Sequence, residues 1–379
     1  MAKLGDIATY INGYAFKPQD WSDEGIPIIR IQDLTGNSYQ ANRYNGEYAS
    51  KYEVNDGDVL ISWSASLGVY VWHGEKAVLN QHIFKVVFDK ERISKDFFVH
   101  QVGLILENAA SDAHGATMKH LTKPVFDALS FYLPPYEKQC EIAEILDKVT
   151  SLISLRKQQL AKLDELVKAR FVEMFGNPAS NTMGWKSEQL VDCLQGIDNG
   201  KSFVCSNDTR QGQEPAMLKL SAVTYGVYNQ KENKVLLDDT MFIKAAEVHK
   251  GDLLFTRKNT PELVGMCAYV TNTEPNLMMP DLIFRLNPND KINAIFLWKL
   301  INHELFREKI QNIATGSAKS MSNISKERLG KLKIIVPPIP LQNQFATFME
   351  HVDQQKQTVQ QSLEKLELMK KALMQEYFG

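Results

Sequence analysis

An internal repeat constrains this chain more than any other feature of its sequence. The segment Gly57–Ser62 (GDVLIS) recurs as Gly251–Thr256 (GDLLFT), 194 residues later. The pair Pro134-Pro135 recurs as Pro337-Pro338, 203 residues later. The offset grows along the chain, as it would if the second copy held a few loop insertions. The sequence therefore predicts a tandem duplication.

Each copy has two parts of different character. The first part consists of short β-rich runs bounded by Gly, Pro, Asn and Asp, with a few helical stretches such as 294–312, and predicts a compact α/β module. After each Pro-Pro pair comes a segment almost free of Gly and Pro, in which apolar residues are spaced by three and four. That pattern predicts a long helix that packs on another helix. The predicted modules are 1–134 and 177–336, and the predicted helices lie in 135–176 and 337–379.

The two helices are expected to pair with each other. A helix of ~38 residues is ~57 Å long, so most of its apolar stripe extends beyond a single module. An antiparallel pair would bury both stripes and place one module at each end of a rod; two independent amphipathic helices are the alternative. The predicted fold is therefore α+β, with two tandem α/β modules joined by two long helices in an antiparallel coiled coil. The predicted packing and partner residues are Ile145, Val149, Leu152, Leu163, Phe171, Phe348, Val352, Val359, Leu363 and Leu366.

Composition and charge exclude several classes of protein. The chain has 379 residues, of which 44% are hydrophobic, with 43 Lys and Arg against 45 Asp and Glu, so we expect two or three folded domains rather than disorder. No apolar run approaches the ~20 residues of a transmembrane helix. With no apolar signal segment after Met1 and four cysteines without CxxC spacing, we expect a cytoplasmic protein with reduced thiols. The net charge is −4 over 1–134 and +3 over 177–336, so any nucleic-acid binding needs a local patch or help from a partner.

The motifs that would make the chain an enzyme are weak or missing. Leu133-Pro134-Pro135-Tyr136 is similar to the turn that holds the target base in adenine methyltransferases, but its Leu cannot accept the necessary hydrogen bond. The sequence has neither Gly-x-Gly-x-x-Gly nor the Walker motif, and its eight histidines include no HExxH. Asp58 and Asp252 each follow Gly just before a strand, which favours a turn role over a nuclease role. We expect no catalytic residue and no metal site.

The order of module, Pro-Pro pair and long helix, present twice, resembles the specificity (S) subunit of type I restriction-modification systems over essentially the whole chain. The segments that carry the resemblance are Leu4–Ile7, Gly25–Arg30, 57–60 with its repeat at 251–254, Gly115–Leu121, and Pro134-Pro135 followed by Gln139. The second copy departs from the pattern at Pro215–Leu220, where the Ile-Pro-x-Ile-Arg sequence is missing. The resemblance implies that each module is a target recognition domain reading one half of a bipartite DNA sequence. It also implies that the helices set the spacing and dock two methyltransferase (M) subunits.

The resemblance further implies a chain that is not an enzyme and has no cofactor of its own. The M subunits would bring S-adenosylmethionine and methylate adenine N6, and restriction (R) subunits would bring ATP and Mg. The implied partners are double-stranded DNA, two M subunits and, in systems that have them, R subunits, with no membrane. The alternative from another class is a duplicated coiled-coil adaptor that binds proteins and does not recognise a DNA sequence.

Polar side chains that follow matched strands are the candidates for DNA contact, because donors and acceptors on rigid elements can read base edges. In the first copy they are Arg30, Gln32, Ser62, Trp63, Ser64, Thr117, Lys119 and His120. In the second copy they are Lys219, Ser221, Thr256, Arg257, Lys258, Asn259, Lys319 and Ser320. The run Arg257–Asn259 is the most typical of DNA contact. For each single residue, a solvated loop side chain is the alternative.

Overall fold

A computed structural model describes residues 1–37, 42–112, 121–316 and 321–379 of the chain. The chain divides into two compact units. The first unit comprises Met1–Gln158 and Gln360–Gly379, and the second comprises Gln159–Val359. Each unit therefore contains one module and one part of each long helix.

The module of the first unit is built from short strands and four helices, followed by a long helix that continues into the second unit. The strands are β1 (Ala2–Lys3), β2 (Thr9–Asn12), β3 (Ile26–Ile29), β4 (Arg43–Tyr44), β5 (Glu53–Val54), β6 (Val59–Ser62), β7 (Gly68–Val71), β8 (Ala77–Leu79), β9 (Ile83–Val87) and β10 (Ser130–Phe131). The helices are α1 (Leu4–Ile7), α2 (Ile31–Leu34), α3 (Lys95–Asp112), α4 (Lys123–Asp127) and the long α5 (Tyr136–Phe175).

The module of the second unit follows the same plan, and a second long helix follows it. The strands are β11 (Ser187–Gln189), β12 (Leu194–Asn199), β13 (Ala216–Leu218), β14 (Asn233–Val235), β15 (Leu253–Thr256), β16 (Lys258–Asn259), β17 (Cys267–Tyr269), β18 (Leu277–Met278), β19 (Ile283–Pro288), β20 (Ser322–Asn323) and β21 (Lys333–Ile335). The helices are α6 (Ser221–Thr224), α7 (Ala294–Asn302), α8 (Glu304–Asn312), α9 (Lys326–Gly330) and the long α10 (Ile339–Phe378).

The sheets repeat in order and direction. The antiparallel sheet β2-β9-β6-β7 of the first module corresponds to β12-β19-β15-β17 of the second. In a second sheet of each module, β3 pairs in parallel with β8 and β13 pairs in parallel with β18. The short antiparallel pairs β1-β10 and β11-β21 also correspond. The predicted duplication of an α/β module is therefore present in the fold.

The central strands β6 and β15 are buried on both faces, which explains their uninterrupted apolar sequence. Successive side chains of a strand point to opposite faces. Leu253 and Phe255 belong to the large core of the second unit, and Leu254 packs in a separate core with Val223 and Ile283. Strand β6 is divided between two cores in the same way.

The long helices pair antiparallel within each unit. In the second unit, Phe171 packs against Phe345 with ring centroids 5.5 Å apart, and Asp164, which precedes Phe171 on α5, pairs with Lys356, which follows Phe345 on α10. In the first unit, Lys157 Nζ lies 3.1 Å from Glu367 Oε1. The residues at 373–378 pack on the core that holds Ile142 and Leu146.

The structure refines two features of the predicted helices. The stretch 294–312 is two helices rather than one, because His303 adopts extended backbone angles and its side chain caps α8. Ile145 and Leu152 are 40% and 44% exposed, so they do not belong to the core of the helix pair, and their contact with a partner stays a prediction. The heptad spacing identifies an apolar stripe but does not show which edge of it the partner helix covers. Of the other predicted packing residues, Val149, Leu163, Phe171, Val352, Val359 and Leu363 are buried, and Phe348 and Leu366 are half-buried.

Candidate nucleic-acid interface

The repeated carboxylates Asp58 and Asp252 close turns and are ion-paired. Asp58 Oδ2 accepts a hydrogen bond from the Asn55 amide at 2.8 Å and lies 2.7 Å from Lys85 Nζ. Asp252 Oδ2 accepts from the His249 amide at 2.9 Å and from Arg285 Nη1 at 3.0 Å. These contacts support the predicted turn role. They leave the two carboxylates engaged within their own modules.

Arg285 anchors a larger network than Lys85 does. Its guanidinium also donates to Asp198 Oδ2 at 3.1 Å and to the carbonyl of Glu247 at 2.9 Å. Burial acts to lower the pKa of Arg285, but its hydrogen bonds with Asp252 and Asp198 outweigh burial and raise the pKa. The pKa of Asp198 is lowered, first by a hydrogen bond from Asn287 and then by Arg285.

The residues that follow the two central strands have the same backbone contacts. The Trp63 amide donates to the carbonyl of His82 at 3.2 Å, and the Trp63 carbonyl accepts from the Leu121 amide at 3.1 Å. The Arg257 amide donates to the carbonyl of Leu282 at 3.0 Å, and its carbonyl accepts from the Ile324 amide at 2.8 Å. Trp63 and Arg257 therefore hold equivalent positions at one edge of their modules.

The side chains at this shared position differ in chemistry. Trp63 stacks on Phe84, with centroids 5.7 Å apart and planes inclined by 24°, and its Nε1 donates to Asn12 Oδ1 at 3.1 Å. Arg257 places its guanidinium 5.0 Å from the centroid of Phe284 and donates from Nη2 to Asn323 Oδ1 at 3.3 Å. The equivalent position is thus aromatic in the first module and cationic in the second.

The second module gathers more basic residues at this edge than the sequence indicated. Lys326 Nζ lies 5.8 Å from the centroid of Phe284, the same ring that Arg257 contacts. Lys258 Nζ lies 3.9 Å from Asp281 Oδ2, and the exposed Lys201 is held close by, with its amide bonded to the carbonyl of Met279 at 3.1 Å. Sequence reasoning missed Lys201 and Lys326 because no local pattern marks them. Pairing of β12 with β19 brings Lys201 to this edge.

Four of the predicted DNA-contacting residues are buried within their modules instead. Ser62 Oγ donates to the Ser64 carbonyl at 3.2 Å, and both serines are buried. Thr256 Oγ1 lies within hydrogen-bond distance of the carbonyls of Leu263 (3.3 Å) and Met266 (3.2 Å), and Asn259 Nδ2 donates to Thr224 Oγ1 at 3.1 Å. These polar groups are satisfied within the loops that they shape. Ser62, Ser64, Thr256 and Asn259 are therefore corrected from base-contacting to loop-forming residues.

The remaining candidates lie on or just before the short helices α2 and α6, or outside the described residues. Arg30 places its guanidinium 5.1 Å from the Trp21 ring centroid, and Gln32 is half-buried on α2. Ser221 Oγ donates to Glu232 Oε2 at 2.7 Å, and Lys219 Nζ lies 3.9 Å from the same oxygen. Thr117, Lys119, His120, Lys319 and Ser320 fall in the segments that the structure does not describe.

Within residues 1–37, 42–112, 121–316 and 321–379, no three His, Cys, Asp or Glu side chains converge on a point that could hold a metal ion. No helix in those same ranges is both long enough and apolar enough to cross a membrane.

Comparison with known families gives one match that spans most of the chain. The family described as "Type I restriction modification DNA specificity domain" matches residues 1–165 and again residues 184–368. The two matches correspond to the two copies of the repeat.

Similar proteins carry related descriptions. The chain is 23% identical over 265 residues to the type I restriction enzyme EcoBI specificity subunit of Escherichia coli, an alignment that covers 69% of this chain and 55% of that protein. It is 22% identical over 395 residues to the MjaVIII specificity subunit of Methanocaldococcus jannaschii, covering 99% and 90% of the two chains. The chain thus spans about half the length of the first relative and most of the second.

A solved structure shares the fold. The S subunit of a type I restriction-modification system from M. genitalium superposes with a TM-score of 0.60 at 14% identity, covering 100% of this chain and 95% of that one. The predicted fold class, two tandem α/β modules with two long helices, is confirmed.

Proposed function

Since this chain belongs to the family of type I restriction modification DNA specificity domains, we propose that it is the DNA sequence-specificity subunit of a type I restriction-modification complex. Each module reads one half of a bipartite target. The helices set the spacing between the half-sites and dock two M subunits. The family assignment does not support the alternative of a protein adaptor without sequence-specific DNA binding.

The observation that carries the proposal is the repeated edge with different side chains. The same backbone contacts hold Trp63 in one module and Arg257 in the other. Two equivalent scaffolds with different side chains are what reading two different half-sites requires, because sequence is read by side chains at base edges. The modules of residues 1–134 and 177–336 are proposed as the two target recognition domains.

The contact residues of the second module are proposed to be Arg257, Lys258, Lys219, Lys201 and Lys326. An arginine held over an aromatic ring keeps its planar donors oriented, and arginine is the side chain that most often reads guanine O6 and N7. The lysines supply contacts to phosphates. In the first module Arg30, Gln32 and Trp63 are proposed, and Thr117, Lys119 and His120 stay predictions. In the second module Ser221, Lys319 and Ser320 stay predictions.

The chemistry of the complex is proposed to belong to its partners. The M subunits bind S-adenosylmethionine and methylate adenine N6, and R subunits, where present, use ATP and Mg. This chain contributes binding and orientation of the DNA and no catalytic group. Its proposed location is the cytoplasm.

The test is a methylome measured in a host free of DNA methylation, carrying the partner M gene with and without this chain. A bipartite adenine-methylated motif that depends on the chain is expected, and its absence despite a co-purifying complex would refute the proposal. The variant Arg257→Ala is expected to relax or weaken one half of the motif only. Lys250→Ala is the matched control, because the exposed Lys250 lies at the opposite end of β15 from Arg257.

A further inference from the structure

The turn after α6 presents two large apolar side chains to solvent. Tyr225 is 73% exposed and Val227 is 66% exposed, and they flank Gly226. Single exposed apolar residues are common on protein surfaces. Two on one short turn, beside the candidate interface, call for a physical explanation.

The turn is held in place from several sides. The Gly226 amide donates to the carbonyl of Val223 at 3.0 Å, and its carbonyl accepts from Trp298 Nε1 at 2.9 Å. Gly226 has a φ of +76°, and a Cβ at this position would lie 3.1 Å from Met266 Cε. Glycine is therefore favoured at this position by its left-handed backbone conformation. The two exposed side chains therefore project to solvent from a turn that is fixed to the module.

The turn adjoins the edge that carries the basic residues. Thr224, the last residue of α6, accepts a hydrogen bond from Asn259 Nδ2 at 3.1 Å. Asn259 directly follows Lys258, and Lys219 directly precedes the segment Leu220–Thr224. The apolar tip of Tyr225 and Val227 is therefore connected to the proposed DNA-contacting edge through the contact between Thr224 and Asn259.

On the basis of the proposed function, we propose that Tyr225 and Val227 are specificity-determining residues that pack on the 5-methyl group of a thymine in the second half-site. Apolar side chains recognise thymine in the major groove by this methyl group, which no other base carries there. Arg257 and the lysines of the proposed DNA-contacting edge hold the duplex, and the apolar tip selects the base. A protein partner fits the tip less well, because two side chains supply far less than the roughly 800 Å² per partner of a stable protein interface.

Substitution of thymine by 2′-deoxyuridine tests the proposal, because it removes the methyl group and keeps the base-pairing hydrogen bonds. The assembled complex with M subunits would be titrated with duplexes carrying one substitution at a time in either half-site. For the unmodified protein, we expect a loss of affinity of about five- to tenfold at one thymine of the second half-site, the scale of a lost base contact. Val227→Ala and Tyr225→Ala are expected to bind the thymine duplex more weakly and to lose this discrimination.

The controls separate contact from folding. Leu237→Ala removes another strongly exposed apolar side chain of the same module and is expected to keep normal affinity and discrimination. Tyr225→Phe retains the ring and is expected to behave as the unmodified protein. Thermal unfolding of all variants is expected to coincide, because the exposed side chains contribute little to stability.

Three outcomes would overturn the inference. These are wild-type discrimination in both alanine variants, an equal loss at both half-sites, and no thymine in the second half-site that responds to uracil. A methylome without any bipartite motif would refute the proposed function itself. A normal motif that the alanine variants methylate at the wild-type rate would refute only the role of Tyr225 and Val227.

Discussion

The Arg285 guanidinium and the Asp252 carboxylate form an ion pair at the start of the central strand of the second module, with Nη1 and Oδ2 3.0 Å apart. Both side chains are mostly buried, and Arg285 also forms an ion pair with Asp198. Lys85 and Asp58 hold the same place in the first module. A duplicated ion pair thus joins neighbouring strands in both copies.

Replacing Arg285 by Met is expected to destabilise the second unit strongly. The change leaves Asp252 and Asp198 without their cation, and breaking one side of a buried pair costs about 3 kcal/mol. The free energy of unfolding by urea is the measurement. Lys85→Met is the matched variant and is expected to lower the free energy of unfolding by less, because Lys85 is ion-paired with one carboxylate. Equal losses in the two variants would contradict this explanation.

Leu363→Asp and Leu152→Asp are expected to differ sharply. Leu363 is buried and Leu152 is 44% exposed on a long helix. A charge at the buried site is expected to lower the free energy of unfolding by about 3 kcal/mol or more, and at the exposed site by less than about 0.5 kcal/mol. Circular dichroism during thermal unfolding measures the difference. If Leu152→Asp nevertheless abolishes co-purification of M subunits, the exposed stripe is where they dock.

Gln139 and Gln342 are expected to contribute equally to the stability of their two copies of the repeat. Gln342 Oε1 accepts from the Asn293 amide at 2.8 Å, and its Nε2 donates to the Pro337 carbonyl at 2.7 Å. Gln139 makes the equivalent bonds to Ser94 and Pro134 at 3.0 and 2.9 Å. Each glutamine thus fixes the start of a long helix to its own module. Substitution by Ala leaves buried groups unpaired, at a cost of about 1–3 kcal/mol.

Measured unfolding energies of Gln139→Ala and Gln342→Ala test this prediction, with Gln344→Ala as the control. Gln344 lies in the same helical turn as Gln342 and is exposed. A control variant as unstable as Gln342→Ala would show that helix propensity, rather than the bridging bonds, causes the loss.

Lys299 is expected to make stability depend on pH in the alkaline range. Its Nζ lies 3.7 Å from the centroid of Trp298, and burial lowers its pKa from 10.5 to about 8, with Asp353 and Asp164 acting in the opposite direction and Lys356 adding to the lowering. Between those two pH values the unfolded chain binds a proton that the folded chain does not, so stability rises with pH there. Below about pH 8 the cost of burying the charge is present in full.

Lys299→Met removes this titration and keeps the aliphatic stem. At neutral pH the variant is expected to be more stable than the unmodified protein, by on the order of 2 kcal/mol after allowing for partial solvent exposure. This difference in the free energy of unfolding is expected to shrink as the pH rises toward 10.5. Urea unfolding of both proteins across this range tests the prediction. A difference in unfolding free energy that stays constant with pH would contradict the prediction.

The sequence predicted the features that depend on local pattern. The runs Val59–Ser62 and Leu253–Thr256 predicted the central strands, and the spacing of apolar residues predicted α5 and α10. Both patterns arise because each strand or helix must bury a defined set of its own side chains. The continuous apolar runs also reflect that both faces of these strands are covered.

The composition of the candidate interface could be predicted only in part. Arg257 and Lys258 directly follow a recognisable strand, so their position was evident from the sequence. Lys201 and Lys326 reach the same edge through strand pairing and chain reversal between segments far apart in sequence. Burial of Ser62 and Thr256 likewise depends on how the following loop folds back. Contacts between segments far apart in sequence leave no periodic pattern in the sequence itself.

The first unit is assembled from two segments that are far apart in sequence, so it can finish folding only late in synthesis on the ribosome. Its module is complete early, but the segment that covers the apolar face of residues around Ile142 and Leu146 comes from Gln360–Gly379. During synthesis that face stays uncovered until the whole of Gln159–Val359 has been made. The second unit, by contrast, is contiguous and can close as soon as its own last residue emerges. Shortening the chain at its carboxyl end would therefore damage the part of the protein that was synthesised first.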